Sequence, residues 1–179
     1  QPVTDGRVNI YAALDRPPEL VFSTHYDCVP PFYPSRGERG FLFGRGSCDA
    51  KGILAAQVAA AERLRASGES RFALLFVVGE ERGSDGARVA NDCAPGGVRF
   101  LINGEPTDNR LGAATRGVLR VKLHATGRAA HSSFPELGES AIDKLLDALV
   151  ALREVALPDD QVLGRTHYTI GLISGGVAP

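Results

Sequence analysis

The segment Leu20–Asp27 (LVFSTHYD) joins a short run of apolar and β-branched residues to two polar groups. Its first five residues predict a buried strand, and His25 and Asp27 follow directly. Arg71–Val78 (RFALLFVV) and Val98–Asn103 (VRFLIN) are two further apolar runs of strand length. Both are predicted to be buried strands, because runs this apolar are typical of strands covered on both faces.

Helices are predicted between these strands. Lys51–Ala66 carries apolar residues at helical spacing, and Gly68 is a suitable stop. Ser84–Asn91 is predicted to be a shorter helix, and Phe41–Gly46 a brief extended piece. Because strands and helices alternate along the chain, we expect an α/β sheet with parallel members.

The pattern changes in the last third of the chain. Val118–Ala125 alternates between apolar and polar residues, which predicts a strand with one face in water. Glu139–Val155 carries an apolar helical stripe, and Thr166–Ser174 is predicted to be a second strand. We therefore expect an α/β domain over residues 1–114 and a smaller α+β domain over residues 115–179. Both are expected to be incomplete, because the chain stops directly after a predicted strand.

Composition restricts the partners and the cellular location. A net charge of −1 gives no electrostatic reason to expect nucleic acid, and no apolar run approaches the roughly 20 residues that span a bilayer. The chain starts at Gln1 and has no methionine, so we expect that its true N-terminus lies upstream. The three cysteines (Cys28, Cys48 and Cys93) form no C-x-x-C pair, which favours a reduced, cytoplasmic setting.

Polar residues that could bind metal follow four successive segments, at the edge where the carboxyl ends of strands collect ligands. Several carboxylates in one pocket would repel each other unless cations balanced their charge. One imidazole with several carboxylates suits zinc, cobalt or manganese. The number of carboxylates favours two ions, with one acid left over as a base. The residues are His25, Asp27, Asp49, Glu80, Glu81 and Glu105.

Four motifs, in this order, resemble the metal-site motifs of the dinuclear zinc peptidase family, which includes acetylornithine deacetylase, succinyl-diaminopimelate desuccinylase, aminoacylase and glutamate carboxypeptidase. Two later segments resemble the start of that family's lid or dimerisation domain and a strand within it. The resemblance implies a zinc-exopeptidase-like sheet flanked by helices. The six segments are Ser23–Pro30 (STHYDCVP), Gly44–Gly52 (GRGSCDAKG), Gly79–Ser84 (GEERGS), Asn103–Thr107 (NGEPT), Gly127–Pro135 (GRAAHSSFP) and Gly171–Ala178 (GLISGGVA).

The resemblance also implies a set of metal ligands. His25 and Glu105 would bind one divalent ion, Asp49 would bridge two, and Glu81 would bind the second. Zinc is the expected metal, with cobalt or manganese as alternatives. The last ligand in the family is a histidine expected beyond the end of this chain, and His167 does not match it. The isolated segment is therefore expected to be nearly inactive.

Catalytic roles follow from the same resemblance. Asp27 would accept the free ring N–H of His25 and fix its tautomer. Glu80 would be the general base that takes a proton from a water held between the ions. His131 would stabilise the oxyanion, and in dimeric relatives it reaches the neighbouring subunit's site. The implied function is a metal-dependent hydrolase of N-acyl amino acids, acetylornithine deacetylase-like, or a dipeptidase or carboxypeptidase, acting as a homodimer through the lid domain.

Other interpretations stay open. Cys28 or Cys48 could act as a nucleophile with His25 or His131, although nothing marks either thiol as activated. The chain could also belong to a non-catalytic relative that binds or dimerises through the lid. Asp49 alone could be an ordinary helix N-cap.

Overall fold

The computed structural model describes residues 1–4 and 6–176. Their contacts divide into two compact units, Gln1–Leu111 and Gly112–Pro179. Whether either unit folds alone is a separate property, so the two-domain organisation stays a prediction. The elements of the first unit, in chain order, are β1 (Pro2–Thr4), β2 (Arg7–Val8), β3 (Ile10–Ala13), β4 (Leu20–His25), β5 (Arg36–Glu38), β6 (Phe41–Phe43), α1 (Lys51–Ala66), β7 (Phe72–Val77), α2 (Asp85–Asp92) and β8 (Phe100–Asn103).

A four-stranded mixed sheet, in the order β3-β7-β4-β8, forms the centre of the first unit. β4 runs parallel to β7 on one side and to β8 on the other, and β3 pairs antiparallel with β7 at the edge. In this register His25, the last residue of β4, lies opposite Val77. The carboxyl ends of three parallel strands therefore meet at one edge of the sheet, which is where ligands bind in such sheets.

Helices flank this sheet. α1 packs against β4 and β7, and α2 packs against β7 and β1. The apolar side chains that bury most completely come chiefly from the strands, because β4 and β7 are covered by neighbours within the sheet and by helices. They include Val21, Phe72, Ala73, Phe76 and Val77.

The α/β fold class is confirmed in the first unit. The three predicted parallel strands and both helices form within two residues of the predicted bounds. The prediction that Val98–Asn103 is buried is wrong, because β8 lies at the edge of the sheet and all four of its residues are exposed. The extended piece at Phe41–Gly46 is shorter, since only Phe41–Phe43 pairs, in a hairpin with β5. The edge strand β3 was not predicted, because Ile10–Ala13 is too short and too exposed to give a clear alternation.

The second unit contains α3 (Ala141–Arg153) and a small hairpin of β9 (Asp159–Asp160) and β10 (Gly164–Arg165). The helix begins where the Ser140 hydroxyl accepts a hydrogen bond from the Asp143 N–H at 3.1 Å, which is a standard N-cap. The helix predicted over Glu139–Val155 is therefore confirmed, with slightly tighter bounds.

The two strands predicted in this unit are wrong. Val118–Ala125 and Thr166–Ser174 are not strands, and neither pairs with another strand within residues 112–176. Alternation sets which side chains share a face, but a strand also needs a neighbour that accepts and donates its backbone hydrogen bonds. Leu119 is 86% exposed, so its apolar side chain is not buried in a hydrophobic core. The end of the segment Gly171–Ala178 lies outside the described residues.

Among the described helices, none combines the length and the apolar character needed to cross a lipid bilayer.

Candidate metal centre

His25 lies at the centre of a group of acidic side chains. It ends the central strand β4 and is only 1% exposed. Its Nε2 atom is 2.8 Å from Oδ1 of Asp49 and 3.8 Å from Oε2 of Glu105. On the other side of the ring, Nδ1 is 3.1 Å from the backbone oxygen of Asp27. Both ring nitrogens thus face oxygen acceptors, which fixes the orientation of the ring.

Hydrogen bonds between β4 and the end of β8 position Glu105. The Gly104 N–H donates to the Ser23 carbonyl at 2.8 Å, and the Thr24 hydroxyl donates to the Gly104 carbonyl at 2.8 Å. Because both polar groups of Gly104 are held by β4, the next residue leaves the sheet in a defined direction. This direction brings the Glu105 carboxylate to His25.

Asp49 reaches the same point from the loop before α1. The alternative that Asp49 is an ordinary N-cap is wrong, because Ala50 is the N-cap and no side chain caps this helix. The Asp49 carboxylate instead faces the His25 ring at 2.8 Å, and the side chain is 53% exposed. A carboxylate next to the first turn of α1 also lies in the favourable field of the helix N-terminus.

Asp27 holds the loop that carries the two glutamates. Its Oδ1 accepts the Glu80 N–H and its Oδ2 accepts the Glu81 N–H, each at 3.3 Å. Its Oδ1 is 3.5 Å from Nδ1 of His25, farther than the Asp27 backbone oxygen. The ring N–H was expected to meet the carboxylate, but the nearer acceptor is the carbonyl of the same residue. The carboxylate therefore connects the His25 strand to the Glu80–Glu81 turn.

Three of the four expected ligands come together closely enough for one ion. The ligand atoms of His25, Asp49 and Glu81 all lie within 4.8 Å of one another. Ligands bound at about 2.0–2.2 Å from one zinc ion lie at most roughly 4.4 Å apart, so a group within 4.8 Å needs only a small movement of its side chains to share an ion. Glu105 joins the group through its 3.8 Å approach to His25. The donor set of one imidazole and several carboxylates fits zinc, cobalt or manganese.

The electrostatics of the cluster favour a positive charge at its centre. Burial lowers the pKa of His25, but the hydrogen bond to Asp49 and the negative charges of Glu105, Asp49 and Glu80 raise that pKa above its ordinary value. Burial, together with the charges of Glu80 and Asp49, also raises the pKa of Glu105 against the opposing effect of His25. Each shift favours the more positive form of its group, and a divalent cation would satisfy the same demand.

Glu80 lies beside this cluster rather than within it. It lines a cavity of about 420 Å³ together with His25 and Glu105. The rest of the wall is mostly apolar and includes Val21 and Leu75. An acid at the border between the ligand group and a cavity is suitably placed to exchange a proton with a bound molecule.

His131 belongs to the second unit, where it is exposed. Its Nδ1 accepts the Ser133 N–H at 3.1 Å, and its ring lies beside Phe134 with the centroids 6.2 Å apart. These contacts orient the ring and leave Nε2 without a described intramolecular bond. The expected oxyanion role of His131 stays a prediction.

The geometry gives no support to a cysteine nucleophile. Among the residues described, neither Cys28 nor Cys48 is hydrogen-bonded to a histidine, and the Cys28 Sγ lies 3.9 Å from the Asp49 carbonyl oxygen. The two ring nitrogens of His25 contact oxygens of Asp27 and Asp49, so neither is directed at a thiol as its general base.

Sequence reasoning missed several residues that support the site. Gln57 on α1 donates to the Ser23 carbonyl at 2.9 Å, and Asn9 contacts both ends of the Glu80–Glu81 loop. A single buried amide, on a helix or between strands, forms no sequence motif. The only signal for Gln57 or Asn9 would have been a polar residue within an otherwise apolar pattern.

A mixed α/β sheet with an imidazole–carboxylate group at its carboxyl edge is the arrangement expected of a metal-binding α/β protein. Comparison with known proteins gives the family. The sequence profile of "Peptidase family M20/M25/M40" matches residues 21–169. A Schizosaccharomyces pombe "Peptidase M20 domain-containing protein" is 41% identical over 177 residues, covering 96% of this chain and 44% of the relative. The chain belongs to the M20/M25/M40 peptidase family.

Other relatives agree with this assignment. A "probable carboxypeptidase" of Aspergillus terreus is 41% identical over 194 residues, covering 97% of this chain and 45% of that protein. The crystal structure of a tripeptidase from Staphylococcus aureus matches with a TM-score of 0.60 at 21% identity, covering 95% of this chain and 47% of the other. This last likeness shows a shared fold. The chain spans less than half the length of these relatives.

Proposed function

We propose that this chain supplies most of the metal ligands and the general base of a metal-dependent hydrolase that cleaves amide bonds in short peptides, with carboxypeptidase action as the first candidate. The observation that carries the proposal is the meeting of His25, Asp49 and Glu81 within 4.8 Å, with Glu105 beside them. The names of the fungal relatives, probable carboxypeptidases, support peptides as substrates. N-acyl amino acids, including acetylornithine-like compounds, are the second candidate class, because they present the same amide next to a carboxylate.

Different residues of the chain have different roles in the proposed reaction. When bound, two divalent ions, most simply zinc, supply positive charge that polarises a carbonyl and makes water more acidic. His25, Asp49, Glu81 and Glu105 would hold them. Glu80 takes a proton from the attacking water and delivers it to the leaving nitrogen. His131 stabilises the developing oxyanion by hydrogen bonding.

A substrate panel on the full-length protein tests the proposal. The panel contains dipeptides and tripeptides with a free C-terminal carboxylate, the same peptides with an amidated C-terminus, and N-acetyl amino acids. Carboxypeptidase action predicts hydrolysis of the free-acid peptides and little turnover of their amides. Hydrolysis of the N-acetyl amino acids alone would favour the deacylase. Absence of metal-dependent turnover on the entire panel would contradict both.

A non-catalytic relative that only binds or dimerises is the contrasting hypothesis. It predicts that the full-length protein retains no transition metal after dialysis, while it still associates.

We also propose that the second unit forms a homodimer interface, supported by an exposed apolar stripe on α3 made of Ile142, Leu146 and Val150. Sedimentation of the full-length protein with and without Val150→Glu tests this. A dimer that is unchanged in the variant would show that the stripe is not the dimer interface. A cytoplasmic location is proposed only on the cysteine content.

A further inference from the structure

Asn9 is a buried amide that belongs to neither the ligand group nor the hydrophobic core. It lies between β2 and β3 and is 2% exposed. Its Oδ1 accepts the Val78 N–H at 3.2 Å, and its Nδ2 donates to the Gly86 carbonyl at 2.8 Å. Val78 follows β7 and Gly86 lies in the first turn of α2. One side chain therefore bonds both ends of the segment 78–86, which we call the glutamate loop because it carries Glu80 and Glu81.

The chemistry of this contact requires an amide. Val78 offers a donor and Gly86 offers an acceptor, so the side chain between them must present one acceptor and one donor at a fixed separation. Aspartate would keep the acceptor for Val78 but would place a second oxygen against the Gly86 carbonyl. Alanine would leave both backbone groups buried without these partners, which is costly. This requirement distinguishes Asn9 from a residue that merely fills space.

The ends of the glutamate loop are close together and allow little adjustment. The Gly86 N–H donates to the Val78 carbonyl at 3.0 Å, and the Ser84 N–H donates to the Gly79 carbonyl at 2.7 Å. A Cβ on Gly86 would lie 2.1 Å from the Val78 oxygen and 2.6 Å from Oδ1 of Asn9. The backbones of β7 and α2 thus meet directly, with Asn9 as the side chain that joins them.

A second contact reinforces the same end of the loop. The Arg7 guanidinium donates to Oδ2 of Asp85 at 2.6 Å, and Asp85 is the first residue of α2. Its other oxygen, Oδ1, occupies the space next to Gly79, where a Cβ would lie only 1.8 Å away. Arg7 lies in β2 and Asn9 lies between β2 and β3, so the N-terminal segment holds the base of the loop.

Asp27 holds the tip of the loop from the opposite side. Its carboxylate accepts the N–H groups of Glu80 and Glu81, and it belongs to the strand end that carries His25. The two glutamates are thus fixed between one support at His25 and another at Asn9. If the Asn9 support is lost, the base of the loop keeps only the Arg7–Asp85 pair and its own backbone hydrogen bonds. The position of the loop relative to the ligand group is then less tightly set.

We propose that Asn9 is a positioning residue that sets the location of Glu80 and Glu81 relative to His25 and Asp49. Its effect on the loop stands on geometry alone, whereas its effect on catalysis rests on the proposed function. A displacement of about 1 Å in a catalytic group is enough to cost roughly a hundredfold in rate. The loss should therefore fall on kcat, because Glu80 acts in the chemical step, and leave KM nearly unchanged.

The test compares Asn9→Ala and Asn9→Asp with Ala61→Gly in the full-length protein. Ala61 is a buried residue of α1 outside the loop, so Ala61→Gly controls for a general loss of stability. Two quantities are measured where all variants are folded: amide hydrogen exchange across residues 78–86, and kcat and KM on the best substrate of the panel. Asn9→Asp keeps the acceptor for the Val78 N–H and removes the donor to Gly86, so it provides a second test if Asn9→Ala does not fold.

The expected result is at least about tenfold faster exchange at Glu80 and Glu81 in both Asn9 variants, with kcat lowered about ten- to a hundredfold and KM within about twofold. Ala61→Gly should keep the loop's exchange and kcat of the parent. Exchange that is the same in the Asn9 variants as in Ala61→Gly would overturn the inference. Faster exchange with unchanged kcat would also overturn the positioning role. A parent protein without turnover would contradict the proposed function, and the exchange measurement alone would then test whether Asn9 fixes the glutamate loop.

Discussion

The side chain of His25 has an unusual environment for a buried imidazole. It is almost fully enclosed at the end of the central strand, yet both of its ring nitrogens face oxygens, and carboxylates of Asp49 and Glu105 lie within 4 Å. Desolvation alone would keep such a ring neutral, but the surrounding negative charge reverses the outcome and raises its pKa. A site that stabilises positive charge at this position is prepared for a cation.

Replacing the proposed base separates chemistry from metal binding. Glu80→Gln keeps the size and hydrogen-bonding capacity of the side chain but removes its ability to take a proton. We expect kcat to fall at least about a hundredfold, within the usual contribution of a general base, while metal content stays that of the parent. Steady-state kinetics and elemental analysis measure the two effects. Glu62→Gln, on the exposed face of α1, is the matched control, and an active Glu80→Gln protein would reject Glu80 as the base.

The Asp27 carboxylate should matter through the loop that it holds. Asp27→Asn retains one acceptor oxygen but replaces the other with a donor that faces a backbone N–H. We expect weaker binding of the ion that Glu81 would hold, and a lower kcat as a result. Competition of the protein with a chelator of known affinity measures this. Equal affinity in Asp27→Asn and the parent would show that the Glu80–Glu81 turn keeps its place without the Asp27 carboxylate.

Gly104 illustrates how closely whole elements approach each other around the site. A Cβ on Gly104, just after β8, would lie 2.4 Å from Cγ2 of Ile53 and 2.8 Å from Nε2 of Gln57 on α1. The residue before the Glu105 ligand therefore has to be small, because α1 packs directly over it. This close contact ties the helix to the strand end that supplies the ligand.

Gly104→Ala should accordingly destabilise the first unit. We expect a loss of about 1–3 kcal/mol in the free energy of unfolding, the usual effect of overpacking. Urea denaturation measures it. Gly96→Ala is the matched control, because no atom lies within 4 Å of a Cβ at Gly96, so its effect should stay within about 0.5 kcal/mol. A Gly104→Ala protein as stable as Gly96→Ala would show that α1 can move aside.

The elements differ in how far sequence could predict them. α1, β4 and β7 were predictable because burial imposes a period on helices and long apolar runs on parallel strands. β8 was predictable from a similar apolar run, although its residues are exposed at the edge of the sheet. The same pattern failed at Val118–Ala125, where alternation is present but no neighbouring strand among the described residues supplies hydrogen bonds. The candidate metal ligands were predicted from their motifs, whereas Asn9 was missed because its contacts are with two backbone groups distant in sequence.

At the scale of the whole molecule, the chain forms two units and covers less than half of its family relatives. A ligand that binds only the folded state adds to stability by mass action, about 2.7 kcal/mol when its concentration is a hundred times its dissociation constant. Zinc should thus raise the melting temperature of the chelator-treated full-length protein. Calorimetry with and without zinc measures this, and the increase should be absent in Asp49→Asn, which removes the charge proposed to bridge the ions.

The most direct measurement is the zinc content of the full-length protein after equilibrium dialysis, compared between the parent, Asp49→Asn and Glu62→Gln. We predict about two zinc ions per chain in the parent and in Glu62→Gln, as expected for paired carboxylate sites, and a clear loss in Asp49→Asn. Zinc retained equally by all three proteins, or by none of them, would contradict a metal centre built from His25, Asp49, Glu81 and Glu105.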